Sequence, residues 1–274
     1  MLETATTFLF VPGDREDRFE KALRSDADVV IIDWEASVIT SRKEAARQNT
    51  ISFLKQADGR KIAVRLNPYS GRDFLDDAAA LWAIHRSIAG AFLTMVSSPD
   101  QVNCSVKALP PSLPLVGMIE TAQALIQVDD IAACRPLCRI AFGNMDFQTD
   151  LELPPEENVG LIYPSSRLII ASRAAGLPGP IAGATENIAD LDHFVASARF
   201  ERNLGFLAKL CVHPSQLAPA RQAFAPSEQE IAWAKQVLEA TCDSHAVMID
   251  GRMIDRPVID RAQKILARAQ TRTK

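Results

Sequence analysis

Short runs of consecutive apolar residues recur along the 274-residue chain, at positions 8–11, 29–33, 62–66, 91–96, 113–119, 139–142, 180–184 and 209–212. They are apolar at successive rather than alternate positions, which is the pattern of parallel strands covered on both faces. Between them lie segments with helical spacing of apolar residues, among them 15–24, 41–56, 74–86, 121–134, 165–175 and 191–203. Strand then helix, repeated eight times over about 220 residues, predicts an α/β fold of the (β/α)8 TIM-barrel type over residues 1–224. An open doubly wound sheet is the alternative, but it usually has fewer repeats, and no Gly-x-Gly-x-x-Gly follows the first run.

Residues 225–274 continue beyond the eighth unit. Ser227 with Glu230 three residues on predicts a capping box that opens a helix to about residue 240. A loop with Gly251 follows, and Pro257 stands near the start of a last helix to about residue 269, with 271–274 expected to fray. This helical extension is expected to pack on its own barrel or on a neighbour's, because about 50 residues form only a small core.

Composition narrows the function classes. Hydrophobic residues at 47% supply a sizeable core, and the net charge of −4 gives no footprint for nucleic acid. A phosphate-bearing ligand would have to be met by local Lys and Arg. The five cysteines (Cys104, Cys134, Cys138, Cys211, Cys242) are scattered among apolar neighbours and read as buried free thiols. Cys134 and Cys138 are four apart on an expected helix, a spacing that could serve a metal, but no second pair follows. The start of the chain has neither a basic region nor a long apolar stretch, and no apolar run approaches the ~20 residues of a membrane span. The expectation is a cytoplasmic protein without a membrane partner.

Polar residues gather where each strand is expected to end, at Gly13-Asp14, Asp33-Trp34-Glu35, Arg65-Leu66-Asn67, Glu120-Thr121, Asn144-Met145-Asp146 and His213-Pro214. Barrel active sites are built at that end. Glu120 and Asp146 close two successive strands, and two carboxylates with water and substrate oxygens make a Mg2+ site. Caps of the following helices, or partners of a barrel Arg, are the alternative for both. Glu35 lies nearer its strand's end than Asp33 and is a candidate to orient a metal-bound water, with Asp33 as a structural acceptor. Arg65 is a candidate carboxylate clamp or a structural ion-pair partner. His213 is a candidate base or a strand-end hydrogen bonder, and His85, His193 and His245 belong to no visible constellation.

Several motifs, in order and over nearly the whole chain, resemble the citrate lyase β-subunit-like group of the HpcH/HpaI aldolase/citrate lyase superfamily. They are Phe8-Leu-Phe-Val-Pro-Gly-Asp-Arg15, Asp33-Trp-Glu35, Val64-Arg-Leu-Asn67, Met118-Ile-Glu-Thr121, Phe142-Gly-Asn-Met-Asp146, Val212-His-Pro-Ser-Gln216, Phe224-Ala-Pro-Ser-Glu228 and Gly251-Arg-Met-Ile-Asp-Arg-Pro257. The group includes citryl-, malyl- and citramalyl-CoA lyases. The resemblance implies a TIM barrel, usually a homotrimer, with Mg2+ (or Mn2+) on Glu120 and Asp146 and Arg65 on the substrate carboxylate or keto-acid oxygens. It implies Asp255 as the acid/base, on a C-terminal segment that reaches over a neighbouring subunit. Coenzyme A contacts fall on positions matching Phe10, Lys21 and the Val212–His213 backbone.

This chain also departs from the group's pattern. Ala36 stands where a second Asp is usual, Thr94-Met95 where Pro-Lys is frequent, Ser97 in place of an acid and Ala182 in place of an Asp. The expectation is a rewired barrel mouth with Arg65, Glu120, Asp146 and Asp255 retained, decay of activity being the other reading. The implied reaction is cleavage of a 3-hydroxyacyl-CoA to acetyl-CoA and a 2-keto acid, with citramalyl-CoA favoured by the lost charge. The β subunit of a citrate lyase, a malyl-CoA lyase and a non-catalytic binding barrel are the alternatives.

Overall fold

The computed structural model describes residues 1–154, 159–241, 247–249 and 252–270. Two compact units divide the chain, Met1–Ala223 and Phe224–Lys274.

In the first unit, eight parallel strands close in sequence order into a barrel. They are β1 (Thr7–Pro12), β2 (Val29–Asp33), β3 (Ile62–Arg65), β4 (Gly90–Leu93), β5 (Leu115–Ile119), β6 (Leu137–Phe142), β7 (Ile181–Ala182) and β8 (Ala208–Cys211). The intervening helices are α1 (Phe19–Leu23), α2 (Lys43–Leu54), α3 (Asp73–Ile84), α4 (Pro99–Ala108), α5 (Ala122–Ile126), α6 (Val128–Ala132), α7 (Asn144–Asp150), α8 (Ile162–Ala174) and α9 (Leu191–Leu204), with α10 (Leu217–Phe224) after β8.

Alternate strand residues turn inward and fill the barrel: Phe8, Val29, Ile31, Ala63, Phe92, Val116, Met118, Ala141, Ile181, Ala208 and Leu210 pack as one cluster. Each fully buried Phe or Ile contributes roughly 1.5–3 kcal/mol over its exposed state. The other strand face meets the helices, which is why the runs read as apolar at every position. Arg139 closes the floor. It is 1% exposed, donates to the carbonyls of Gly179, Leu2 and Ala5, and burial lowers its guanidinium to about 10. The first residues of the chain are thereby tied to the end of the barrel opposite the mouth.

Several expected boundaries move. The run 91–96 stops being a strand at Leu93, because Met95 takes a left-handed backbone (φ 49°). Of 180–184 only Ile181–Ala182 pair, and the helix expected over 121–134 is two short helices that meet at Gln127. Cys134 lies beyond α6 and Cys138 on β6, so the pair never shares a helix face. Cys104, Cys134 and Cys138 are only half-buried, and Cys211 alone of the four described thiols is fully buried. Helices α4, α7 and α10 complete the expected strand–helix units; α7 buries only Phe147, so it carries almost no apolar periodicity.

The second unit has its own small core. Ser227 and Glu230 form the capping box of α11 (Glu228–Ala240), with the Glu230 N–H on Ser227 Oγ at 3.1 Å. A hairpin of β9 (Val247–Ile249) and β10 (Arg252–Ile254) leads to α12 (Arg256–Gln270). Ala234, Val237, Ile254, Ala262 and Ile265 pack together within it. Gly251, Cys242, His245 and residues 271–274 lie outside the described residues. Among the described residues no helix is long and apolar enough to cross a membrane.

Candidate active site

Strand register brings Asp33 of β2 level with Arg65 of β3 at the carboxyl end of the barrel. Arg65 Nε and Nη2 donate to the two Asp33 carboxylate oxygens at 2.7 and 2.5 Å, and Nη1 stands 3.3 Å from Glu35. The guanidinium lies over the Phe10 ring, 4.6 Å from its centroid. Burial alone would raise the Asp33 carboxyl, but the Arg65 charge and donors from Ser37 and the Glu35 N–H hold it below the usual range. Asp33 is thus the acceptor that fixes Arg65. Its fork occupies the Nε–Nη2 edge, leaving one further N–H on Nη2 and one on Nη1 for a ligand. Glu35, beyond the strand, is raised chiefly by burial and further by the charges of Asp33 and Asp146, against the pull of Arg65.

A buried network behind β2 and β3 holds this turn. Asp77 on α3 accepts from the Asn67 N–H and side-chain amide and from Arg47 of α2, while Asn67 Nδ2 also reaches the Trp34 carbonyl. Asn67 stood among the strand-end residues. Arg47 and Asp77 did not, because each looks like an ordinary helix charge until the helices are packed.

Glu120, just past β5, is 2% exposed. Its Oε2 accepts the backbone N–H of Met95. Gly143, past β6, makes room for it: a Cβ there would fall 2.3 Å from Glu120 Cγ and 2.5 Å from Oε1. Asp146 follows in the first turn of α7 and is exposed. Burial lifts the Glu120 carboxyl to about 7, with Asp146 and Glu35 adding to the rise and the Met95 N–H and Arg65 opposing it. A carboxyl held this way beside two others gains most from a cation. Among the described residues no group of three His, Cys, Asp or Glu side chains is placed to hold a metal. A hard ion on Glu120 and Asp146 would therefore complete its shell with water and ligand oxygens, as Mg2+ does.

Both carboxylates line a cavity of about 900 Å³ at the mouth. Arg65, Phe10, Lys21, Ala36, Val212 and His213 line it too, together with apolar Met118 and Leu210 from the barrel interior. Lys21 is an exposed residue of α1. The Val212 and His213 N–H groups are both taken by Gln216 Oε1, at 2.9 and 3.3 Å, so a ligand contact to this backbone goes to a carbonyl. His213 Nδ1 accepts the Ser215 N–H as the cap of a short turn, which leaves Nε2 to carry the proton. That capping role, signalled by His-Pro-Ser-Gln, stands against the ring acting as a base through Nδ1.

Asp255 belongs to the second unit. It is exposed between β10 and α12, and its carbonyl accepts from the Val258 and Ile259 N–H groups. Of the four departures, Ala36 lines the cavity, and Met95 and Ser97 lie in the loop after β4. Ala182 does not belong with them. It is fully buried, pairs in register with Lys209, and lies on the strand face opposite inward-pointing Ile181. Lys209 finds its acid in Glu201 of α9 at 2.7 Å.

The model for the family "HpcH/HpaI aldolase/citrate lyase" matches residues 6–214. A citrate lyase subunit beta-like protein of Mycobacterium tuberculosis is 31% identical over 272 residues, covering 96% of this chain and 94% of that protein. A (3S)-malyl-CoA thioesterase of Cereibacter sphaeroides is 31% identical over 276 residues, with 96% and 93% covered. Among solved structures, CitE from M. tuberculosis in complex with magnesium, acetoacetate and coenzyme A superposes with a TM-score of 0.85 at 28% identity, covering 98% of this chain and all of that one.

Proposed function

Because the chain belongs to the HpcH/HpaI aldolase/citrate lyase family, we propose that it is a Mg2+-dependent carbon–carbon lyase of a 3-hydroxyacyl-CoA, and that citramalyl-CoA, cleaved to pyruvate and acetyl-CoA, is its substrate. One observation carries this reading. A single strand-borne cation, Arg65, lines the same cavity as the carboxylate pair Glu120 and Asp146. The superposed relative, solved in complex with magnesium, acetoacetate and coenzyme A, supports the same ligand set.

Glu120 and Asp146 would hold the Mg2+, which when bound would supply Lewis acidity and charge neutralisation at the oxygens of the substrate. The chain's own residues do the rest. Arg65, immobilised by Asp33, presents its remaining N–H donors to the keto-acid carboxylate and sets its orientation. Glu35, raised by burial and close to Arg65, orients water at the metal side. Arg18 and Lys21 meet the phosphates of coenzyme A, and Phe10 and the Val212 carbonyl contact the rest of that group. In cleavage the substrate hydroxyl gives its proton to the water that Glu35 orients as the carbon–carbon bond breaks, and Asp255 protonates the acetyl-CoA enolate; in condensation Asp255 takes a proton from the acetyl-CoA methyl and the new alkoxide is reprotonated from that water. It is brought by the second unit of a neighbouring copy in a trimer.

Substrate choice follows from charge. Citryl-CoA would place a second free carboxylate near the pair, where Arg65 is already shared between Asp33 and Glu35. Ala36, Met118 and Leu210 offer apolar surface that suits a methyl group. Purified protein with Mg2+ and citramalyl-, malyl- or citryl-CoA, followed by chromatography of the products, tests this. Pyruvate and acetyl-CoA should form from citramalyl-CoA about tenfold faster or more, in kcat/KM, than products from the others. Release of free CoA with the hydroxy acid intact would instead make the chain a thioesterase. No product from any thioester would leave a binding barrel.

A further inference from the structure

The loop between β4 and α4 carries the only hydrogen-bond donor recorded for Glu120 among the described residues, and it is built on a strained backbone. Met95 has φ 49°, in the left-handed region that side-chain-bearing residues rarely occupy. Its N–H donates to Glu120 Oε2. The loop is pinned behind by the Thr94 hydroxyl, which donates to the Leu66 carbonyl at 2.8 Å. In front it is held by one neutral side chain. Gln101, in the first turn of α4, accepts on Oε1 from the Ser97 N–H at 2.7 Å and the Ser97 hydroxyl at 2.8 Å. Its Nε2 donates to the Met95 carbonyl at 3.1 Å. Orientation of that amide is fixed, since the Ser97 N–H can only donate and the Met95 carbonyl can only accept. The Ser98 hydroxyl in turn accepts the Gln101 N–H as the α4 cap, so the amide stands on a rigid turn.

We infer that Gln101 is a positioning residue for the metal site: its amide clamp keeps Met95 in the left-handed conformation that aims the Met95 N–H at Glu120. The inference rests on the reading of Glu120 as a metal ligand. It also accounts for two departures from the family's pattern at once. Where a Lys and an acid are frequent, Met95 and Ser97 leave the loop without side-chain charges, and three hydrogen bonds to one amide hold it instead. The retained site and the missing charges are then two sides of one arrangement. Releasing the clamp lets the 94–95 peptide flip as Met95 relaxes to negative φ, which turns the Met95 N–H away and frees the Glu120 carboxyl to leave its ligand position. A supporting side chain of this kind is worth about tenfold or more in metal affinity.

The test is Mn2+ binding followed by electron paramagnetic resonance on the full-length chain, with thermal melting alongside. The variants are Gln101→Ala, Met95→Gly, their double mutant and Glu120→Gln. Gln101→Ala should weaken Mn2+ about tenfold while the metal-free protein still melts cooperatively, a few degrees at most below the wild type. Met95→Gly should bind as the wild type, because glycine reaches positive φ without strain. In the double mutant the glycine should recover most of the lost affinity, since the left-handed turn no longer needs the clamp. A purely structural role for Gln101 at the start of α4 would not respond to glycine at position 95. Wild-type affinity in Gln101→Ala, or a double mutant as weak as Gln101→Ala, would overturn the inference. Failure of the wild type to bind Mn2+, or undiminished binding by Glu120→Gln, would overturn the metal reading instead, so the two failures are distinct.

Discussion

Gly143→Ala adds one methyl group against the most buried part of the proposed metal site. The backbone at Gly143 has φ −84° and ψ 71°, so alanine meets no left-handed penalty there. The new Cβ would lie 2.3 Å from Glu120 Cγ, 2.8 Å from Cδ and 2.5 Å from Oε1. Cγ is the middle of the side chain, so the clash cannot be cleared by a small swing of the carboxylate. Glu120 is 2% exposed and its Oε2 is tied to the Met95 N–H. Either β6 shifts or Glu120 changes rotamer and loses that donor. Overpacking costs about 1–3 kcal/mol, and a displaced ligand costs about tenfold or more in metal affinity, which is about 1.4 kcal/mol per tenfold. Calorimetric Mg2+ titration and thermal melting would read both. Gly71→Ala is the control, because its Cβ would meet only the Pro68 carbonyl, at 3.2 Å. Metal affinity in Gly143→Ala equal to that of Gly71→Ala and the wild type would refute the packing of Glu120 against Gly143 as the determinant of its position.

Other outcomes follow from the same geometry. Glu120 is raised from 4.5 to about 7 by burial, so its contribution to the stability of the metal-free protein is full below pH 4.5 and is lost as pH rises through 7. That loss is about 3 kcal/mol; Glu120→Gln should flatten this part of the stability–pH curve in chemical denaturation, and an unchanged slope would count against it. Arg65→Lys cannot span both Asp33 oxygens, and kcat/KM should fall about 100-fold while Mg2+ still binds. Near-normal turnover would remove Arg65 from substrate orientation. Asp255→Asn and Glu120→Gln proteins, each inactive, should regain activity when mixed under conditions of subunit exchange; no recovery would mean that Asp255 serves its own barrel or none. Burial pushes the Cys211 thiol up to about 12, so alkylation at pH 8 should spare it in the folded protein and reach it only after denaturation.

The barrel was legible because parallel strands covered on both faces write themselves as continuous apolar runs, and Glu120, Asp146 and Arg65 each follow or end such a run. Their assembly at one mouth follows from the closed order of the strands. What a linear reading lacks is register and close approach. Asp33 faces Arg65 only because β2 and β3 pair with those two residues level, 32 positions apart. Asp33 and Glu35 looked like competing options, yet the strand ends at Asp33 and both reach the same guanidinium. Ala182 looked like a missing charge at the mouth, and the two-residue period of β7 turns it away from the barrel interior. The left-handed Met95 and the cradle at Gly143 leave no trace in composition or period. Helix α7 leaves little apolar pattern for a related reason: its first residues line the mouth, and only Phe147 is committed to the core. The His213 cap, by contrast, could have been read from Pro and Gln at the right offsets.

The most direct measurement is anomalous diffraction from crystals of this protein grown or soaked with Mn2+. The account predicts one strong peak between Glu120 and Asp146, within about 2.0–2.3 Å of an oxygen of each, absent from Glu120→Gln crystals treated alike. An ion bound elsewhere in the barrel, or a peak at this position that survives Glu120→Gln, would contradict it.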